Sequence, residues 1–151
     1  MGLAFQPDKD ANYITLMDDG DLFAVQLKKY GFAPEKITHV ILSHAHGDHC
    51  GGLTELGDVE CIIQQKETGT SAGGNLLKTF PSKKWRIIDG RTDIFGDGRV
   101  IAVPTFGHTD GHQSLLIELD DGRQICMASD ALYMDCALED DGEIRYSSKE
   151  G

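Results

Sequence analysis

"SHAHGDHCGG", residues 43–52, follows the apolar run "HVILS" and sets three of the chain's six histidines and an aspartate within six consecutive positions. A histidine-rich polar loop is the plain alternative. With six histidines in 151 residues, however, an H-x-H-x-D-H spacing arises by chance in roughly one such chain in a thousand. The stretch "ITHVILS" (37–43) is β-branched and apolar, so it reads as a buried strand. The cluster therefore stands at a strand's C-terminal end, where α/β proteins place their sites. Alternate residues of an extended segment point the same way, which lets His44 and His46 take one ion together. Asp48 and His49 come after the chain turns into a short helix entered at Asp48, and can face a second ion. Neutral imidazoles and carboxylates are the usual donors to zinc.

The totals narrow the classes. At 151 residues and 40% apolar content the chain is long enough for one globular domain with a real core, expected to span 1–151. The net charge is −11, with no Lys/Arg cluster, so a nucleic-acid partner is not expected. No apolar run approaches the roughly 20 residues that span a bilayer, and "MGLAFQPDKD" has no basic start or apolar stretch of a signal peptide. A membrane partner is therefore not expected either. Cys50, Cys61, Cys126 and Cys136 form no C-x-x-C pair and read as reduced, mostly buried thiols of a cytoplasmic protein.

Along the chain, residues 1–20 read as a loop or arm and 141–151 as a mobile tail. "GDLFAVQLKKYGF" is a helix capped by Asp21, with Phe23, Leu27 and Tyr30 on one face and Gly31 as its stop. "VECIIQQ" (59–65) is a second strand, followed by a loop that turns helical around Asn75. Strands at "KWRIID", "GRVIAVPT", "QSLLIEL" and "RQICMAS" follow, with "GDG" (96–98) and "DDG" (120–122) as hairpin turns. The order predicts a mixed sheet with helices outside it.

Two further candidates stand at strand ends: "PTFGHTDGHQS" supplies His108 and His112, and "CMASDALY" supplies Asp130. In order and spacing, "HAHGDH", "GHTDGHQS" and "ASDALY" resemble the metallo-β-lactamase superfamily of hydrolases, over about Gln6 to Asp135. The resemblance implies an αβ/βα sandwich, and an α/β fold that is incomplete at both ends. It implies that His44, His46 and His108 bind a first zinc, that Asp48 and His49 bind a second, and that Asp130 bridges them. Hydroxide held between the ions would attack a lactone, ester, thioester or amide carbonyl of a small-molecule substrate. Within the superfamily the likeness is closest to the N-acyl-homoserine lactonases. There "GHTDGHQSLLIEL" and "DALY" match, the latter placing Tyr133 where those enzymes carry a tyrosine against the substrate carbonyl. Asp48 and Tyr133 are thus the catalytic candidates.

Two departures stand beside the resemblance. Nothing before Asn12 supplies the family's opening strand ending in Asp-Thr-Gly, and no histidine follows His112 to serve as the late ligand. One or two zinc ions per chain are compatible with this set, and so is a truncated, non-catalytic metal-binding or oligomerising remnant. A sandwich short of strands is expected to form a homo-oligomer. Asp130 has the alternative of a turn residue, and Tyr133 that of a core tyrosine. His112 reads as a packing residue near the ligands, His39 as a core or sheet-edge histidine, and Cys50 as a buried thiol. Gly51 and Gly52 would let the backbone pass close to the site.

Overall fold

A computed structural model describes residues 18–133; the expected arm up to residue 17, the tail at 141–151 and Cys136 lie outside them. A 3₁₀ turn at Asp19–Asp21 and helix α1 (Phe23–Lys29) open the described chain, and a 3₁₀ turn at Pro34–Lys36 leads to strand β1 (His39–Ile41). Helix α2 (Gly47–Cys50) and a 3₁₀ turn (Gly51–Glu55) precede β2 (Glu60–Gln64), α3 (Gln65–Thr68), α4 (Ser71–Thr79) and β3 (Lys84–Ile88). Then come β4 (Thr92–Asp93), β5 (Val100–Pro104), β6 (Gln113–Glu118), β7 (Gln124–Met127) and a 3₁₀ turn at Ser129–Ala131.

The strands form two sheets, as the αβ/βα sandwich implied by the resemblance requires, and not the mixed sheet suggested by element order alone. β1-β2-β3 is parallel, and β4-β5-β6-β7 is antiparallel. The reason lies in β2, whose residues from Cys61 to Gln64 are all buried. A strand apolar on both faces needs a layer on each side. Cys61 and Ile63 pack with Leu42, Leu53, Leu56, Val59 and Leu76 under the helices, while Ile62 packs with Ile88, Ile94 and Ala102 toward the second sheet. Gln64 follows on the Ile62 side and donates to Gln113 Oε1 at 2.9 Å, while Gln113 donates to the Leu42 carbonyl at 2.7 Å. The Gln113 amide also donates to the Ser43 carbonyl at 2.9 Å. The two sheets are thus stitched by buried polar bonds one residue before His44.

Several local expectations are corrected. α1 is not capped by Asp21. Its first amides, on Phe23 and Ala24, donate to the Glu55 carboxylate at 3.2 and 2.9 Å, a cap supplied from 31 residues downstream. Glu55 does chemically what an N-cap side chain does, and it also answers the positive end of the helix. Gly31 does stop the helix: its φ is +84°, its amide donates to Lys28, and that of Phe32 donates to Leu27. This is the paired C-terminal closure that favours glycine. Tyr30 is exposed and Phe23 half exposed, so Leu27 alone of the three packs on the core. The helix after the histidine cluster begins at Gly47 and yields to 3₁₀ geometry at Gly51, where two successive glycines weaken helix propagation. Gly52 gives room to Phe23, whose ring would meet an added Cβ at 3.0 Å, and Gly51 faces open space. Cys126 is exposed, unlike Cys50 and Cys61. The two-residue strand β4 was not legible, because "TD" carries no strand periodicity.

Candidate metal centre

Four segments from both sheets meet at one edge. His44 and His46 lie in the extended segment after β1, His49 on α2, His108 in the loop after β5, and Asp130 in the turn after β7. Three ring nitrogens converge: His44 Nε2 to His46 Nδ1 at 3.0 Å, His108 Nε2 to His46 Nδ1 at 3.0 Å, and His108 Nε2 to His44 Nε2 at 3.1 Å. Asp130 spans the gap to His49. Its Oδ2 lies 3.2 Å from His108 Nε2 and 3.8 Å from His44 Nε2, and its Oδ1 lies 3.3 Å from His49 Nε2. Two donor groups result, His44–His46–His108 and His44–His49–Asp130, sharing His44. Asp48 belongs to neither; its carboxylate is 3.5 Å from His49 Nε2 and 78% exposed. Cys50 stays out of both groups, donating to the Ala45 and His46 carbonyls at 3.7 and 3.1 Å. Burial first, then the charge of Asp48, pushes its thiol up to about 11.

The donor set fits a metal ion. Three nitrogens in a triangle cannot satisfy one another, since each ring nitrogen either donates along one line or offers one lone pair. A tetrahedral ion about 2.0–2.1 Å from each nitrogen needs donors about 3.3 Å apart, close to the spacing observed. Metal binding also needs neutral imidazole. Burial, with the nearby His49, His46 and His108, holds His44 down at about 4 despite the opposing pull of Asp130.

Outer contacts orient these rings. Ser129 Oγ donates to Ser43 Oγ at 2.9 Å, and Ser43 Oγ lies 3.1 Å from His44 Nδ1. Ser129 is the one non-glycine residue at positive φ, +51°, among the described residues. Left-handed backbone beside a site side chain is a known way of storing local strain where geometry matters. Tyr133 Oη lies 2.7 Å from His108 Nδ1, so the phenol is at the site and not in the core. His112 is fully buried, 2.8 Å from Thr105 Oγ1 through Nδ1, and its Nε2 has no partner among the described residues. It faces His44 ring to ring at 5.2 Å and joins neither donor group. His39 sits exposed on β1 against Phe95 and Glu60, the sheet-edge placement. A cavity of about 480 Å³, lined by Lys66, Gly69, Phe106, Gly107 and Asp110, opens beside the His108 loop. Glu67, fully buried between the ligand loops, went unread in the sequence. It sits in the polar run "QKETGTS", where neither spacing nor apolar context marks it.

Two sheets with helices outside, carrying a histidine–aspartate cluster where strands of both sheets end, define an α/β sandwich with a metal-binding edge. The chain belongs to the metallo-β-lactamase superfamily, whose family model matches residues 10–150. It is 31% identical over 134 residues to the N-acyl homoserine lactonase AttM of Rhizobium radiobacter, covering 80% of this chain and 51% of that protein. It is 32% identical over 128 residues to an N-acyl homoserine lactonase of Bacillus cereus, covering 83% of this chain and 50% of that one. Among solved structures it is similar to an N-acyl homoserine lactone hydrolase with the product N-hexanoyl-L-homoserine bound at its catalytic metal centre. The TM-score is 0.70 at 28% identity, covering 85% of this chain and 52% of the other. The chain spans about half the length of the curated relatives it matches.

Proposed function

We propose that the chain is a zinc-dependent hydrolase that opens the ring of N-acyl homoserine lactones, with His44, His46 and His108 as one ligand set. His49 and Asp130, beside His44, make up a second, weaker one, which Asp48 would complete from its place outside the donor groups, 3.5 Å from His49 Nε2. The observation that carries this reading is the triangle of ring nitrogens 3.0–3.1 Å apart with the Asp130 carboxylate against it. Bound there, a divalent ion supplies Lewis acidity, which polarises a carbonyl and lowers the pKa of water. The protein's own part is to hold three lone pairs on one point and to keep His44 neutral. Its part is also to present Tyr133, whose hydroxyl is a ready donor to an oxygen gaining charge. The whole chain acts as one domain, 1–151, in a cytoplasmic setting that keeps Cys50, Cys61 and Cys126 as thiols. No described helix is long and apolar enough to cross a membrane.

The test is metal analysis of protein purified without chelator, together with ring opening of an acyl-homoserine lactone. At least one ion per chain and measurable opening are expected. Zinc in stoichiometric amount with no turnover of lactone, ester, thioester or amide favours the second reading, a metal-binding or oligomerising remnant of the fold. Cleavage of a thioester but not a lactone keeps the hydrolase and changes its substrate.

A further inference from the structure

We infer that Glu67 is a positioning residue of the metal centre: one buried carboxylate that sets the distance between the two histidine-bearing loops. The inference rests on the metal-centre reading above. Glu67 lies on α3, directly after β2, and is the one fully buried acidic side chain among the described residues. Oε1 accepts from the amide of Ala45, the residue between His44 and His46, at 2.9 Å. Oε2 accepts from Thr109 Oγ1 at 2.6 Å and from the Gly111 amide at 3.1 Å, on either side of Asp110 in the loop that carries His108. One oxygen therefore holds each loop.

The backbone is built to the same end. A Cβ on Gly111 would stand 2.0 Å from the Glu67 amide nitrogen, so only glycine lets the His108 loop lie against α3. A Cβ on Gly73 would stand 1.9 Å from the Glu67 carbonyl oxygen, and that same oxygen accepts from Thr70 at 3.0 Å through its amide and 2.8 Å through its hydroxyl. Residue 67 is thus clamped from both sides. Burying a carboxylate costs several kcal/mol unless its lone pairs are filled. Here they are filled by the Ala45 amide between His44 and His46, the Thr109 hydroxyl beside His108, and the Gly111 amide two residues further along the same loop.

Glutamine is the informative replacement. Its single oxygen can serve Ala45, and its NH₂ can donate to the Thr109 hydroxyl, but the Gly111 amide then faces another donor. The His108 loop loosens while shape and volume are kept. Thr109→Val removes one bond to Oε2 and leaves the carboxylate in place.

The experiment measures Zn²⁺ affinity by chelator competition for the wild type, Glu67→Gln, Thr109→Val and Leu76→Ala, with the thermal midpoint of each metal-free protein. Leu76→Ala opens the core below α4 and removes no hydrogen bond between Glu67 and either loop. Glu67→Gln should weaken zinc binding 10–100-fold, the range typical when an outer partner of a metal ligand is lost. Thr109→Val should weaken it several-fold. Leu76→Ala should lower the midpoint with less than a twofold change in affinity. Wild-type affinity in Glu67→Gln overturns the inference, as does a loss that follows the midpoint across all three variants. Should Glu67→Gln not fold, Thr109→Val decides, and unchanged affinity there overturns it. A wild type that binds no zinc sinks the metal-centre reading and this inference together. A wild type that binds zinc, with both loop variants unchanged, sinks the inference alone.

Discussion

His44 is fully buried with its ring among four other imidazoles, and its acid–base behaviour follows from that. Folded, it takes a proton only at about 4; unfolded, it does so near pH 6.5. Between those values the unfolded chain binds more protons than the folded one. The stability of the metal-free protein therefore falls as pH drops from about 6.5 to about 4, with no further loss from this group below that. Burial, then His108, lowers His112 as well, which adds to the effect. Thermal midpoints of chelator-treated protein across this window should decline with acid, and a flat profile would contradict the buried neutral pair. Tyr133 belongs at the same scale. Tyr133→Phe removes a hydroxyl 2.7 Å from His108 Nδ1. Acting on substrate, it should lower lactone turnover at least tenfold at constant metal content, as expected when one donor to a developing oxyanion is lost. A fall in zinc affinity would instead assign it to orienting His108, and a silent substitution would remove it from the chemistry.

Two elements carry loads that local sequence does not announce. α1 is a seven-residue helix with no buried residue and no local side-chain cap at its N-terminus, and it depends on Glu55 for its first amides. Glu55→Ala should cost about 1 kcal/mol, the usual loss for a missing N-cap, and should speed hydrogen exchange at Phe23 and Ala24 before anything else. β2 is the opposite case, buried on both faces and shared between two cores. Ile62→Ala leaves a cavity between the sheets and should cost 2–5 kcal/mol in a denaturant melt. Because Ile62 lies two residues before Gln64, which bonds across to Gln113, the same variant should weaken the junction at Ser43 and with it zinc binding.

For the whole molecule, the acidic surface and the exposed edge pull in different directions. β7 ends the antiparallel sheet among the described residues, with Gln124 through Met127 all exposed, Ile125 at 46% and Met127 at 55%. Unpaired strand edges carrying apolar side chains invite pairing. We propose self-association through this edge, against the repulsion of a net charge of −11. Added salt screens that repulsion. Light scattering should therefore give a mass above the 16.5 kDa of one chain, rising with concentration and salt, and Ile125→Lys should reduce it. A monomer mass held at high concentration and high salt would refute the proposal.

The spacing H-x-H-x-D-H and the later "GHTDGH" and "SDALY" carried the resemblance that implied the fold class, and they contain every residue of both donor groups. Such features are local: a strand's apolar run, a turn's glycine and a ligand's chemistry are all written within a few residues. What tertiary structure alone decided is long-range. It set which strands pair in which sheet, with β2 covered on both faces. It left Asp48 outside both donor groups, turned Tyr133 onto His108, and brought Glu55 to a helix 31 residues upstream. It also buried Glu67 between two loops 22 and 42 residues away from it in the chain. No window of sequence records which donors will surround a carboxylate, since hydrogen bonds form by proximity after folding. Periodicity reports only which face is apolar.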